Sequence, residues 1–379
     1  MLTRPARVFH VITGLGDGGA EAVLYRLCQA DSAAMHQVVS LMDAGKYGPL
    51  LEDAGVRVHC LNMPRGKVSA KGLLQLWRLL RAERPDIVQT WMYHADLIGG
   101  TLARMAGVRR VFWGVRHSTL EAGKSRRATM LVARINAWLS SAVPTGIVCC
   151  AQKAREVHLA LGFAAERLLV IPNGYDLSRF RPDTVARVRL RSELGVGDQT
   201  PLLGMVGRFD PQKDHENLFR ALAFLKQRGV QFCCVLVGRG MDQGNTALCA
   251  RLEQYDLQAE VVLLGQRSDV PSVMSALDLH LLSSSAEAFP NVLAEAMACG
   301  TPCVTTDVGD AAAIVGETGW VVPPLRPERL ADAINTALLA RSDLDAWVLR
   351  CKSARQRVGD NFSMEKMVAA YHAVWQDLG

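Results

Sequence analysis

Short apolar-rich runs alternate along the chain with segments whose apolar positions recur every three to four residues. Residues 8–12, 38–42, 56–61, 87–91, 111–115, 146–150 and 168–171 are runs of this first kind. They are short and apolar enough for strands covered on both faces. Between the first two, residues 20–29 set Ala22, Val23, Leu24 and Leu27 at helical spacing, and residues 73–81 form an amphipathic helix closed by Pro85. The pattern pauses at the turn Pro172, Asn173, Gly174. Residues 179–197 are charged and broken by Pro182 and Gly195, and are expected to connect two domains. A second set of apolar runs follows at 202–206, 232–237, 261–264, 279–282 and 302–306. Strands alternating with helices imply a parallel sheet with helices on both faces. The expected fold class is therefore α/β, with two doubly wound domains facing a cleft. Their expected bounds are 1–180 and 198–361. Residues 364–378 are amphipathic, with Met367, Val368, Tyr371, Val374, Trp375 and Leu378 apolar, and are expected to pack back across the domains. Sheets of this kind bind ligands at the carboxyl ends of their strands.

A length of 379 residues suits two domains, and 49% hydrophobic with 21% charged residues excludes a disordered chain, a collagen-like repeat and a coiled coil. The net charge of +6 is unevenly spread. Residues 1–185 hold 24 Lys/Arg against 14 Asp/Glu, and the remainder 19 against 23. A basic amino-terminal half points to an anionic partner: a membrane surface, a phosphorylated substrate or nucleic acid. No nucleic-acid recognition motif accompanies the charge, so that partner is not expected. The ten cysteines include the adjacent pairs Cys149/Cys150 and Cys233/Cys234 inside apolar runs, while Cys299 and Cys303 flank a turn with no second pair to complete a zinc site. Free thiols in a reducing cytosol are expected, and no metal. The amino terminus lacks the shape of a signal peptide. The longest uncharged stretch, 135–152, carries Asn136, Ser140, Ser141, Pro144, Thr145 and Gly146, a poor bilayer span. The chain is expected to be cytoplasmic, and peripheral to a membrane at most.

Three motifs could carry chemistry. After the first run, Gly14, Gly16, Gly18 and Gly19 precede a helix. Glycines permit a sharp turn and close ligand approach, and the helix start favours anions. Gly14, Gly16 and Gly19 also spell the dinucleotide fingerprint, with Asp43 expected to end the next strand, so an NAD-dependent dehydrogenase is one reading. The second motif follows the strand ending near Gly207, where Arg208 and Lys213 stand five residues apart. An Arg fork and a Lys point charge can clamp a diphosphate. The third is the pair Glu287 and Glu295, with seven residues between them including Phe289, Pro290, Asn291 and Val292. Pro290 suits a first helical position. The free amides that follow would face a phosphate. Glu287 would reach hydroxyls beside it, and Glu295 would accept hydrogen bonds from a ribose diol.

The third motif resembles the E-x7-E signature of retaining glycosyltransferases of the GT-B fold, family 4. Gly18, Gly19, Ala20 and Glu21 resemble that family's amino-terminal loop. Ile171, Pro172, Asn173, Gly174, Tyr175 and Asp176 resemble its IPNGVD segment, with Tyr175 where Val is commoner. Arg208 and Lys213 match its donor-diphosphate cations, and the loop containing Gly265 and Arg267 matches the one whose backbone meets the nucleobase. The resemblance covers nearly the whole chain, including a closing helix over 362–379. It implies two Rossmann-like domains, the first binding acceptor and the second the nucleotide sugar. It implies transfer of a sugar from a UDP- or GDP-linked donor with anomeric configuration retained and no metal or other cofactor. Gly16, Arg208, Lys213, Arg267, Glu287, Phe289, Pro290, Asn291, Val292 and Glu295 would serve the donor; Gly18, Gly19 and His117 the acceptor. Glu287, His117, Arg208 and Lys213 would form the catalytic set, with His117 near the transferred sugar. Glu287 would hold sugar hydroxyls and not act as a free nucleophile. A similarity to enzymes that extend lipid-diphosphate-linked sugars implies a glycan or polyprenyl-diphosphate-linked acceptor in bacterial surface-polysaccharide synthesis (O-antigen or exopolysaccharide), at the inner face of the cytoplasmic membrane.

Residues 104–134 add Arg104, Arg109, Arg110, Arg116, Lys124, Arg126, Arg127 and Arg134 against Glu121, interleaved with Trp113, Met130 and Leu131, and Trp138 follows. A basic amphipathic helix over 124–139 would suit an anionic membrane surface. Two further readings keep the fold and change the activity: a non-hydrolysing nucleotide-sugar epimerase, and a nucleotide sensor without turnover.

Overall fold

A computed structural model describes residues 4–116 and 127–377. Two compact units emerge, one of Met1–Gly174 with Met364–Gly379, the other of Tyr175–Ser363.

Among the described residues, the first unit holds strands β1 (Ala6–Ile12), β2 (Ala34–Ser40), β3 (Arg57–Cys60), β4 (Ile87–Trp91), β5 (Arg110–Val115), β6 (Gly146–Cys149) and β7 (Leu168–Val170). They pair in the order β3-β2-β1-β4-β5-β6-β7, every pair parallel. Residues 8–12 of β1 are fully buried, as a strand with helices on both faces requires. Helix Gly19–Ala30 buries Val23, Leu24, Leu27 and Cys28 against this sheet. Helix Met364–Asp377 sends Met367, Tyr371 and Trp375 into the same core, so the closing helix belongs to the first unit. Strand β2 ends at Ser40, earlier than the sequence pattern implied. Leu41 donates its N–H to the Ile12 carbonyl and already starts the loop, so Asp43 does not end a strand.

In the second unit β8 (Leu202–Val206), β9 (Cys233–Val237), β10 (Val261–Gly265), β11 (Leu279–Leu282), β12 (Cys303–Thr306) and β13 (Trp320–Val322) form the parallel order β10-β9-β8-β11-β12-β13 among the described residues. The short β13 was not anticipated. Its Trp320 stacks on Trp347 at 6.3 Å, a contact with no local sequence signal. In both sheets the strand order reverses beside the first strand, between β1 and β4 and between β8 and β11. Loops leaving adjacent strands in opposite directions open a crevice there.

The expected connection over 179–197 is corrected. Residues Thr184–Glu193 form a helix capped by the Asp183 side chain and inside the second unit. Arg187 and Arg191 tie it to buried Asp278. The chain instead passes from the first unit to the second between Gly174 and Tyr175, and returns between Ser363 and Met364. There Tyr175 donates its N–H to the Phe362 carbonyl at 2.9 Å and bridges Ser363. Phe362 accordingly ends helix Leu344–Phe362 and does not begin the closing helix. All ten cysteines are free thiols. Among the described residues no helix is long and apolar enough to cross a membrane.

Candidate active site

At the carboxyl edge of the second sheet the strand ends are fused by backbone contacts. Gly238 follows β9 with φ of +142°, and a side chain there would overlap the Gly207 carbonyl oxygen. Its N–H donates to the Gly265 carbonyl at 2.8 Å. Arg208 leaves β8 half-exposed, its Nε donating to Asp210 at 2.9 Å. Burial opposes ionisation of Asp210, but hydrogen bonds from the Gln212 N–H and Arg208 outweigh it and hold its carboxyl below the usual range. A single helical turn, Pro211–Lys213, then aims Lys213 across the switch point. Its Nζ donates to Glu287 Oε1 at 2.5 Å, both side chains largely shielded from solvent. Burial first, and the Lys213 ammonium second, push His215 down to about 4 and His280 down to about 3. Both are neutral near pH 7 and add no charge beside Lys213.

Glu287 lies in the loop after β11. Ser284 Oγ donates to Glu287 Oε1 at 2.9 Å, and Ser285 N–H donates to the Gln212 carbonyl at 2.8 Å, locking the two loops together. Gly309, with φ of +55°, lies backbone to backbone against Glu287 and Ala288, where any side chain would collide with their carbonyl oxygens. Thr306 (which donates to the Ser284 carbonyl at 2.6 Å) and Gly309 were missed in the sequence, because both meet the Glu287 loop from a distant part of the chain; Ser284, in that loop itself, was given no role there. The helix Asn291–Ala298 starts one residue after Pro290, which sits at the cap and not at the first helical position. Pro290 has no side-chain acceptor to cap this helix, and a helix start carries partial positive charge that suits an anion. Phe289 is buried, edge-on to Phe362 at 5.6 Å. Asn291, Val292 and Glu295 are half-buried along this helix. Arg267 donates twice to Asp269, at 2.8 Å each, so its guanidinium is engaged within its own loop.

The structure thus brings Arg208, Lys213, Glu287 and the start of the helix bearing Glu295 to one edge of the second unit. Gly16, Gly18 and Gly19 belong to the first unit, Gly16 exposed in the loop after β1 and Gly18 capping helix Gly19–Ala30. Glu21 stands three residues past that cap, and burial raises its pKa. A carboxyl therefore already occupies the first turn of this helix, where the sequence suggested an anion. His117, Lys124 and Arg126 lie outside the described residues.

Among the described residues, donor atoms of His10, Cys28 and His36 lie within 4.8 Å of one another, a spacing compatible with a metal. Hydrogen bonding already employs the two rings. Trp91 Nε1 can only donate, so His10 Nδ1 accepts from it at 3.2 Å; His10 Nε2 then carries the proton toward His36 Nδ1 at 2.9 Å. His36 Nε2 and His372 Nε2 meet Asp31 at 3.1 and 2.8 Å. This chain holds the closing helix to the sheet, and its tautomers leave the His10 ring no free lone pair for a metal.

Comparison with known proteins agrees with this architecture. Residues 17–179 match the family model described as Glycosyltransferase Family 4, and residues 187–352 match Glycosyl transferases group 1. The chain is 26% identical over 313 residues to the UDP-Gal:alpha-D-GlcNAc-diphosphoundecaprenol alpha-1,3-galactosyltransferase of Escherichia coli, covering 81% of this chain and 79% of that one. It is 28% identical over 319 residues to EpsF of Bacillus subtilis, covering 79% of each. HepE of Anabaena, solved with UDP, superposes with a TM-score of 0.85 over 98% of this chain and all of that one, at 23% identity, which establishes the fold. The chain belongs to the family 4 glycosyltransferases of the GT-B fold. It is a glycosyltransferase, and the dehydrogenase, epimerase and sensor readings give way to that membership.

Proposed function

We propose that this glycosyltransferase takes a nucleoside-diphosphate sugar, UDP-linked ahead of GDP-linked, and transfers the sugar with retention to a glycan on a polyprenyl diphosphate. The setting is bacterial surface-polysaccharide assembly at the inner face of the cytoplasmic membrane. The observation that carries the reading is the ion pair of Lys213 with Glu287, which stands four residues before the start of helix Asn291–Ala298. Lys213, Arg208 and the helix amides offer positive potential for charge that develops on a leaving diphosphate, with no metal needed. Glu287, oriented by Lys213 and Ser284, is suited to accept hydrogen bonds from donor-sugar hydroxyls. Glu295, on the same helix, serves the ribose. The acceptor proton leaves with the departing phosphate on the same face of the sugar. UDP in the HepE complex and the lipid-diphosphate acceptor in the name of the Escherichia coli relative support donor and acceptor class. The exposed residues Leu131, Arg134 and Trp138 on helix Arg127–Leu139 support a membrane-facing first unit.

The test is transfer from a panel of α-linked UDP- and GDP-sugars to a synthetic N-acetylglucosaminyl polyprenyl diphosphate, with chelator present and the product analysed by NMR. An α-linked product is expected, with Glu287→Gln and Lys213→Ala each roughly tenfold or more slower, as loss of a charge-assisted contact implies. A β-linked product removes the retaining assignment. Transfer only after a divalent metal is restored removes the metal-free one.

A further inference from the structure

We propose that His94 binds a hydroxyl of the acceptor sugar at the carboxyl edge of the first sheet, and that Met92 is the positioning residue whose strained backbone presents it. The inference rests on the acceptor reading above, with the first unit as the acceptor-binding one. Met92 directly follows β4, which lies beside β1 where the strand order reverses, so its loop borders the crevice where such a sheet takes a ligand. Its backbone has φ of +72° and ψ of +153°. That region is essentially reserved for glycine, and a residue with a side chain stays there only when its surroundings hold it. They do so here. The Met92 N–H donates to the Gly114 carbonyl at 2.8 Å, and the Met92 carbonyl accepts from the Asp96 N–H at 2.9 Å. The Met92 side chain packs against the core that the closing helix completes. On either side the chain is anchored by buried rings. Trp91 Nε1 donates to His10 Nδ1 at 3.2 Å, the Tyr93 hydroxyl meets His158 Nε2 at 2.5 Å, and Asn136 Nδ2 donates to the Tyr93 carbonyl at 2.9 Å.

The positive φ at Met92 ends the strand and starts the short helix Tyr93–Ala95. Tyr93, Ala95 and Asp96 are buried, and His94 between them stays half-buried. Neither ring nitrogen of His94 has a hydrogen-bond partner among the described residues, whereas the buried rings of His10 and His158 are engaged at both nitrogens. Burial lowers the His94 pKa, with no charged group contributing, so the ring is neutral near pH 7. A neutral imidazole offers one N–H donor and one acceptor. A sugar hydroxyl can use either, while a phosphate gains no charge from it. The chemistry therefore selects the acceptor's sugar ahead of its diphosphate. Met92 touches no substrate atom in this scheme; it acts through His94.

Initial rates with the synthetic N-acetylglucosaminyl polyprenyl diphosphate, and the sugar donor that serves it, test the idea on wild type, His94→Phe, His94→Gln, Met92→Val and the double variant Met92→Val with His94→Phe. Melting curves check that each is folded. His94→Phe keeps a ring and loses its hydrogen bonds, so the acceptor KM should rise about five- to tenfold. The donor KM should stay within about twofold. His94→Gln, which keeps a donor and an acceptor, should recover most of the loss. Met92→Val, β-branched and opposed to positive φ, should also raise the acceptor KM. Added to His94→Phe it should raise it no more than about twofold further, because the group it presents is already gone. A wild-type acceptor KM in His94→Phe overturns the proposal and leaves the transferase reading standing. So does an equal rise in donor KM, or a His94→Gln variant as impaired as His94→Phe. Losses that simply add in the double variant remove the positioning role of Met92. If the wild type transfers to no polyprenyl-diphosphate acceptor, the acceptor reading fails and this proposal falls with it.

Discussion

A carboxyl group enclosed in the core without a full counter-charge keeps its proton, and Asp96 is such a group. It opens a π-helical stretch, Asp96–Gly100, and is fully buried. Its Oδ1 accepts from Thr90 Oγ1 at 2.5 Å and from the Gly114 N–H at 3.2 Å. Burial is the dominant influence. The bonds from Thr90 and Gly114 and the charge of Arg116 offset part of it, and the pKa is pushed up to about 8. An acid raised in the folded state binds a proton that the unfolded chain has released. Stability therefore falls as pH rises from about 4 to about 8, by up to about 1.4 kcal/mol per pH unit. Asp96→Asn keeps an oxygen for both donors and does not titrate. Its stability relative to wild type should grow steadily between pH 5 and pH 8 in denaturant unfolding. A difference constant with pH would show that Asp96 is already ionised in the native protein.

At the scale of elements, helix Thr184–Glu193 is docked by charge more than by apolar area, since Val185 and Val188 face solvent. Arg187 and Arg191 reach Asp278 at 2.7 and 3.1 Å, Arg341 approaches it at 3.3 Å, and the Leu202 N–H donates to it at 2.7 Å. Asp278 stands immediately before β11, so one carboxylate ties the helix to the starts of β8 and β11. Arg191 is itself almost wholly buried. Removing one partner of such a network leaves charge uncompensated in the interior and typically costs about 3–5 kcal/mol. Asp278→Ala should lower the denaturant midpoint of the protein accordingly. A midpoint within experimental error of wild type would mean that the helix is held by other contacts.

For the whole molecule, the distribution of charge matters more than its total. The basic first half and the exposed Leu131, Arg134 and Trp138 on one face of helix Arg127–Leu139 combine cationic and apolar groups, as an interfacial helix does. Each basic residue near an anionic bilayer contributes roughly 1 kcal/mol. The protein should sediment with anionic vesicles and not with neutral ones. Binding should weaken in 1 M salt, where the Debye length is about 3 Å. Arg134→Glu with Trp138→Glu should reduce the bound fraction severalfold. Equal partitioning to neutral and anionic lipid would favour a soluble acceptor over a lipid-linked one.

The strand pattern was legible residue by residue. The expected bounds of β4, β8 and β11 coincide with those observed, because a strand buried on both faces must be apolar nearly throughout. Periodicity likewise announced helices Gly19–Ala30 and Met364–Asp377, and the spacing of Glu287 and Glu295 pointed to one helix start in the second domain. Local pattern reports which face of an element is buried; it carries no record of what that face meets. The pairing of Lys213 with Glu287, of Tyr175 with Asn291, and of three arginines with Asp278 depends on strand order and on where the chain crosses between units. Those partners are 74 to 116 residues apart for the first two pairs, and side chains so distant meet only when the sheet sets β8 beside β11 and the backbone brings Tyr175 alongside Ser363. The motif resemblance announced a glycosyltransferase, and the folded sheet decided which of the motif residues hold one another in place.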